Sequence, residues 1–306
     1  MPPAMDAAAE LPVIDFDFSL TEKIRFSYSR PEDPVLKKAI ICGIEKLSGQ
    51  GFFKRRYLEW SSRGHTSENI FAAGIRLLGV RLRFDEAALA AVPPRGPLLV
   101  VANHPFGVAD GLALGDLVTR VRPDTKIMTH SLLCQPPEAQ RFLLPVDFGK
   151  SNEARQRSAR TRMEAVQWLK DGHCVALFPA GGVATRQSPT KGPALDLPWH
   201  TFVAKLAAVA GVQVLPLFFH GQNSTLFHLA SHTAYPLRVA LLFRETLRQL
   251  GETIEVELGT ALPGSSLPHA DGKEAVASAL RAITFGLDRT GASSPAVFNW
   301  PKHVGS

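Results

Sequence analysis

Leu98-Leu99-Val100-Val101-Ala102-Asn103-His104-Pro105-Phe106-Gly107-Val108-Ala109-Asp110 is the stretch on which the reading of this chain turns. Five consecutive apolar residues suit a strand buried on both faces of a mostly parallel sheet. His104 follows just beyond the strand. Pro105 and Gly107 shape a tight loop, and Asp110 closes it where the next helix should begin. A neutral imidazole can take a proton from an alcohol as its oxygen attacks an acyl carbon. A carboxylate behind the ring fixes its tautomer and stabilises the imidazolium. No separate enzyme nucleophile is needed if the acceptor hydroxyl attacks directly. The plain structural reading is that Asp110 only caps a helix and His104 only fills a loop.

Working outward, the same alternation repeats. The turn cluster Pro93-Pro94-Arg95-Gly96-Pro97 leads into the strand. A helix over 111–121 precedes a strand near 126–129. A helix over about 152–170 precedes a strand at 174–178, and one over 200–209 precedes a strand at 212–219. Further strands are expected near 238–243 and at 253–258. Asp271 is expected to cap a last helix, with Val276, Leu280, Ile283 and Leu287 on its buried stripe. This is an α/β fold, a mostly parallel sheet flanked by helices. Its chemistry is expected beyond the carboxyl ends of the strands, in the loops after residues 102, 178 and 219.

An N-terminal amphipathic helical pair precedes the sheet. Val35, Leu36, Ala39, Ile40, Ile44 and Leu47 share one helical face, and a second helix is expected over 67–79 with Ser67 as N-cap. A short strand follows at Arg81–Phe84. The domain reading is an arm and amphipathic region over 1–66, the α/β domain over 67–290 and a tail over 291–306.

The second loop of interest is Phe178-Pro179-Ala180-Gly181-Gly182. Its glycines let backbone amides approach an anion or a developing oxyanion. The bland alternative is an ordinary strand-to-loop turn. Arg155, Arg157, Arg160 and Arg162 lie on one predicted helix, with Arg155 and Arg162 on a common face. They suit lipid headgroups or an acidic carrier protein, or are simply solvated. Phe52-Phe53-Lys54-Arg55-Arg56-Tyr57-Leu58-Glu59-Trp60 reads either as an interfacial anchor or as core aromatics beside surface cations.

The chain has 306 residues, 45% hydrophobic and 20% charged, enough for a substantial core. A net charge of +6 favours anionic partners. No nucleic-acid module is visible, so anionic lipid or an acidic protein is the better match, and no nucleic-acid partner is expected. The three cysteines, Cys42, Cys134 and Cys174, are scattered and read as core residues in a reducing compartment. The opening residues lack a basic run, so no secretory leader is expected. The longest apolar stretch, Phe202 to Phe219, is broken by Lys205, Gly211, Gln213 and Pro216, so no spanning helix is expected. His228 and His232 have helical metal spacing but no third ligand, and metal binding is not expected. Gly149-Lys150-Ser151 ends like a phosphate loop, but Leu144 stands where that motif needs Gly.

Asn103-His104 with Asp110, followed by Phe178-Pro179-Ala180-Gly181-Gly182 and then Val214-Leu215-Pro216-Leu217, resembles the glycerolipid acyltransferase family of the lysophosphatidic acid acyltransferase type. The similarity covers roughly residues 70–230. The resemblance implies His104 and Asp110 as catalytic residues. It implies Asn103, Pro105, Phe106, Gly107, Phe178, Pro179, Ala180, Gly181, Gly182 and Arg155 as candidates for substrate binding. It departs from the family pattern in three places. Five residues rather than four separate His104 from Asp110, as in a bacterial branch linked to hemolysins and ornithine-lipid enzymes. Ala180 stands where the family has Glu. The family's middle Arg motif is replaced by Phe142-Leu143-Leu144-Pro145-Val146-Asp147-Phe148-Gly149.

The implied activity is transfer of a fatty acyl group from acyl-CoA or an acyl-carrier protein to a lysolipid hydroxyl. No cofactor is expected beyond that donor. The expected location is the cytoplasm, peripheral on the inner face of the cell membrane. The competing readings are a thioesterase or lipase using water at His104, and a non-catalytic lipid-binding, hemolysin-like protein.

Overall fold

The computed structural model describes residues 49–62, 68–131, 136–147, 151–294 and 296–300, together with Val35 and Gly43. The predicted first helix, Ser67, Cys42 and Cys134 fall outside them. The first described helix is α1 (Gln50–Ser61). Helix α2 (Ile70–Leu78) is capped by Asn69, whose side chain accepts from the amides of Phe71 and Ala72, and it ends on Gly79 in the left-handed conformation. Strand β1 (Arg81–Arg83) and the short helix α3 (Glu86–Ala90) lead to β2 (Leu98–Ala102).

Strand β2 is fully buried along its whole length, as its unbroken apolar run demands. Helix α4 (Val108–Val121) begins three residues earlier than its apolar period suggested, which draws Asp110 into its first turn. Then come β3 (Thr125–His130), α5 (Pro137–Gln140), β4 (Leu143–Val146), α6 (Asn152–Lys170) and β5 (Cys174–Leu177). A hairpin follows, β6 (Thr185–Ser188) with β7 (Lys191–Leu195), and after it α7 (Phe202–Ala207) and β8 (Gln213–Phe219). Three short helices, α8 (Thr225–Thr233), α9 (Tyr235–Ala240) and α10 (Leu242–Leu247), separate β8 from β9 (Thr253–Leu258). The chain closes with β10 (Leu262–Pro263) and α11 (Lys273–Phe285).

The sheet runs β1-β9-β8-β2-β5-β3-β4. Five strands, from β8 to β4, are parallel; β9 pairs antiparallel with β8, and β1 lies parallel to β9 at the edge. Alternate residues of β2 face opposite layers. Leu98, Val100 and Ala102 pack under α2 and α4, whereas Leu99 and Val101 pack under α6, α7 and α11.

The strand expected near 238–243 is helical, forming α9 and the start of α10. Pro236 sits in the first turn of α9, where its missing amide costs no hydrogen bond. Leu242, Phe243 and Thr246 are then buried at helical spacing. Gly272, not Asp271, is the cap of α11. The apolar pattern did not reveal β4 or the β6–β7 hairpin. β4 is short and contains Pro145, and the hairpin carries Gly192 and Pro193.

The aromatics of residues 52–60 turn toward the body of the protein rather than away from it. The Phe53 ring lies 5.8 Å from that of Phe243. Tyr57 and Ser61 donate to Glu138 at 2.6 and 2.8 Å, so Tyr57 holds its proton well above its ordinary value through burial and that carboxylate. Arg55 and Arg56 remain exposed. Phe53 and Tyr57 therefore follow the core reading, while Arg55 and Arg56 face outward.

Candidate active site

The end of β2 is tied to the end of β8 by one side chain. Asn103 is buried, donates to the Phe219 carbonyl at 2.9 Å and accepts from the Phe219 amide at 2.7 Å. Both faces of its amide are thereby used on backbone. Asn103 fixes where the chain leaves the sheet. His104 comes next, so its backbone position is set by the sheet.

The His104 ring is 17% exposed, and its Nδ1 lies 3.1 Å from Oδ1 of Asp110, which is fully buried. The ring N–H points off the line to that oxygen, and neither atom has another hydrogen-bond partner. The other Asp110 oxygen, Oδ2, accepts from the Phe106 amide at 2.8 Å. One carboxylate therefore lies against the imidazole and closes the loop that carries it. The helix N-terminus beneath Asp110 favours its negative charge.

Gly107 permits the longer loop. Its φ of 96° belongs to glycine, and a Cβ there would press on Leu242 and Val183 at 3.1 and 3.2 Å. Pro105 and Phe106 are buried. Phe106 packs against the backbone of Gly221, where an added Cβ would sit 2.4 Å from the ring. Pro105, Phe106 and Gly107 thus build the loop's shape.

The second loop meets the first. The Phe178 ring stacks on His104 with centroids 4.0 Å apart and planes 20° apart. The Ala184 amide donates to the His104 carbonyl at 2.7 Å. Pro179 and Ala180 are buried, while Gly181 is exposed. The Gly181 amide is used in a turn to the Phe178 carbonyl at 3.0 Å.

Arg155 is not part of this cluster. It is exposed on the first turn of α6, which packs beside β4. β5 and β3 lie between β4 and β2, so the centres are offset by about 14 Å, three strand spacings.

Three further residues frame the site; of them only Asn223 falls in a loop expected from the sequence to carry chemistry, the one after residue 219. Asp196 is fully buried and accepts from the His104 amide at 3.3 Å and from Trp199 Nε1 at 3.0 Å. Burial pushes its carboxyl up to about 6, against the pull of those donors. Arg238, on α9, is buried and donates to the Val183 carbonyl and to the hydroxyls of Thr185 and Ser231. Its guanidinium lies over Phe227 and Trp300 at 4.8 and 5.1 Å, and burial lowers it to about 10. It secures the chain on either side of Ala184, the residue bonded to His104. Asn223 is buried and reaches the Phe106 carbonyl at 3.4 Å. A spacing rule cannot find these residues, because each acts from a different element.

A cavity of about 100 Å³ lies beside Asn103 and Pro105, lined also by Asp196, His220, Gln222 and Asp288. His220 stands 3.6 Å from both Glu257 and Asp288. His228 is fully buried with Nδ1 3.3 Å from the Arg186 amide, and burial keeps it neutral by lowering it to about 4. His232 Nε2 lies 2.8 Å from the Arg186 carbonyl, so the two histidines engage backbone. No cluster able to hold a metal occurs among the described residues. Burial raises Cys174 to about 12, as befits an inert core thiol.

A family model described as Acyltransferase matches residues 54–278. A lyso-glycine lipid O-acyltransferase of Phocaeicola vulgatus is 27% identical over 203 residues, covering 62% of this chain and 70% of that protein. One of Bacteroides thetaiotaomicron is 28% identical over 180 residues, covering 56% of this chain and 63% of its own length. A solved 1-acyl-sn-glycerophosphate (LPA) acyltransferase from Thermotoga maritima aligns over 84% of this chain and 82% of its own, at 14% identity and a TM-score of 0.46. The family match spans more than half of the chain and takes in both loops, their histidine and their carboxylate, and on that ground the chain belongs to the acyltransferase family.

Proposed function

We propose that the chain moves a fatty acyl group from an acyl thioester, of acyl-carrier protein or CoA, to the hydroxyl of a lysolipid. The observation that carries this reading is His104, 17% exposed, with Nδ1 3.1 Å from the buried Asp110. Asp110 holds the proton on Nδ1, which leaves Nε2 free to accept. Nε2 takes the acceptor's hydroxyl proton as the oxygen bonds to the thioester carbon. The tetrahedral intermediate then breaks its carbon–sulfur bond, and the imidazolium returns the proton to the leaving thiolate. The amides of Gly182 and Val183 are candidates to stabilise the oxyanion, since the Gly181 and Ala184 amides are already engaged.

Phe178, stacked on the imidazole, shields it from water and favours transfer over hydrolysis. Ala180 in place of an acid leaves the acceptor's polar contacts to other groups. The lyso-glycine lipid for which these relatives are named makes an amino-acid lysolipid the acceptor to test first, with an ornithine lysolipid beside it. Location at the inner face of the membrane belongs to the same reading, because such acceptors reside in bilayers.

The purified full chain should be incubated with labelled acyl thioester of each carrier and with amino-acid and glycerol-phosphate lysolipids. Mass spectrometry of the lipid products should show a diacylated lipid. Release of free fatty acid alone would favour the thioesterase reading.

A further inference from the structure

Helix α8 (Thr225–Thr233) buries Phe227 and Ala230, and it buries polar side chains beside them. His228 and Ser231 are 0% exposed, yet Leu226 and Leu229 are 46% and 40% exposed. An amphipathic helix bordering water places these residue types the other way round. Tyr235, the first residue of α9, extends the same surface at 56% exposure, beside Trp300. Isolated exposed leucines need no explanation, but a contiguous apolar ridge over buried polar side chains marks a contact surface.

The charge around the ridge identifies what it contacts. From Gly172 to Arg244 the only acidic residue is Asp196, which is fully buried. Arg186 borders the ridge, its guanidinium 3.1 Å from Thr225 Oγ1. Lys191 is exposed at the turn of the adjoining hairpin. Glu245, whose carboxylate accepts from Ser224 at the N-cap of α8, is buried as well. Apolar side chains bordered by cations, with the carboxylates of this segment buried, match an anionic lipid surface, where the leucines enter the acyl boundary and the cations meet headgroups. The surface is also continuous with the site: β8 ends at the same edge of the sheet as β2, and Asn223, just before α8, bonds the Phe106 carbonyl.

We propose that the outer face of α8, with Tyr235, Arg186 and Lys191, is the surface by which this protein docks on an anionic bilayer, placing the His104 loop toward the lipid. This rests on the lysolipid reading above for its purpose but not for its test, which measures binding without turnover.

The full chain should be sedimented with vesicles of phosphatidylcholine alone and of phosphatidylcholine mixed with phosphatidylglycerol. The variants are Leu226→Ser with Leu229→Ser, Lys191→Glu, and Lys54→Glu with Arg55→Glu and Arg56→Glu. The double serine variant should bind both vesicles about tenfold or more weakly, because buried apolar area is lost. Lys191→Glu should weaken binding only to the anionic vesicles, by about tenfold. Both variants should unfold at the wild-type midpoint, since the changed side chains are exposed. Wild-type binding by the double serine variant would overturn the proposal. So would loss of binding confined to the 54–56 variant. A wild type that self-associates and a double serine variant that does not, with vesicle binding unchanged, would assign the ridge to a second copy and also overturn it. Vesicle binding as proposed with no lysolipid turnover would instead fault the acyl-transfer reading alone.

Discussion

The loop after β2 and the segment after β8 both leave the same edge of the sheet, but they are built in opposite ways. In the first, side chains close in sequence do the work. Asn103 pins the exit from the strand, Asp110 orients His104, and Asp110 also holds the Phe106 amide. In the second, the helices bury polar groups and expose leucines, and their ties to the site come from residues far away in sequence. In the proposed reaction the first loop sets the chemistry. The second supports it from outside and carries the proposed docking surface. A site can thus have a short, local core and a distributed frame.

The largest expected effect lies in the local core. Asp110→Asn keeps an oxygen for the Phe106 amide but turns an N–H toward His104 Nδ1. The imidazole then carries its proton on Nε2 and cannot act as base. Turnover should fall on the order of 10²–10⁴-fold with little change in stability, as read from steady-state rates and thermal unfolding. Near-normal turnover with lowered stability would reduce Asp110 to a helix cap.

Next comes the clamp. Asn103→Leu leaves the Phe219 amide and carbonyl without partners, each costing about 1–3 kcal/mol in a buried place. Chemical denaturation should register that loss. The matching change in the second region, Asn223→Leu, removes one long bond of 3.4 Å and should cost about 1 kcal/mol or less. Equal losses at the two asparagines would erase the contrast between a tight core and a looser frame.

Asp196 provides a comparison in pH. Its carboxyl lies near 6 in the folded chain, above the unfolded value of about 3.9. The folded state therefore binds this proton more tightly. The resulting stabilisation is complete below pH ~4 and is lost as pH rises through ~6. It amounts to about 2–3 kcal/mol, and Asp196→Asn should flatten the stability profile across that window. Denaturation midpoints at pH ~4 and ~7 check this; an unchanged slope in the variant would place the titration elsewhere.

The same contrast explains what could be read from the sequence. Leu98–Ala102 could be read as a buried strand because a run of five apolar residues has few other uses in a sheet protein. His104 and Asp110 could be singled out because their proposed roles need particular residue types within one short loop. The helices after β8 could not. Leu237 to Phe243 is nearly continuous apolar sequence, which fits strand and helix alike, and burial of Arg238 breaks the amphipathic pattern that would have separated them. Asp196, Asn223 and Arg238 reach the site through tertiary contacts, to which local periodicity is blind. Arg155 shows a different limit: it lies exposed on α6, which packs beside β4 and β5, and a suitable sequence distance does not by itself bring a charge to the His104 loop.

The direct test of acyl transfer through His104 is the rate of lysolipid acylation by full-length His104→Ala, with its fold checked by circular dichroism and thermal unfolding. A loss on the order of 10²–10⁴-fold in a protein that unfolds at the wild-type midpoint is expected for removal of a general base. A folded His104→Ala protein that acylates the lysolipid at close to the wild-type rate would contradict it.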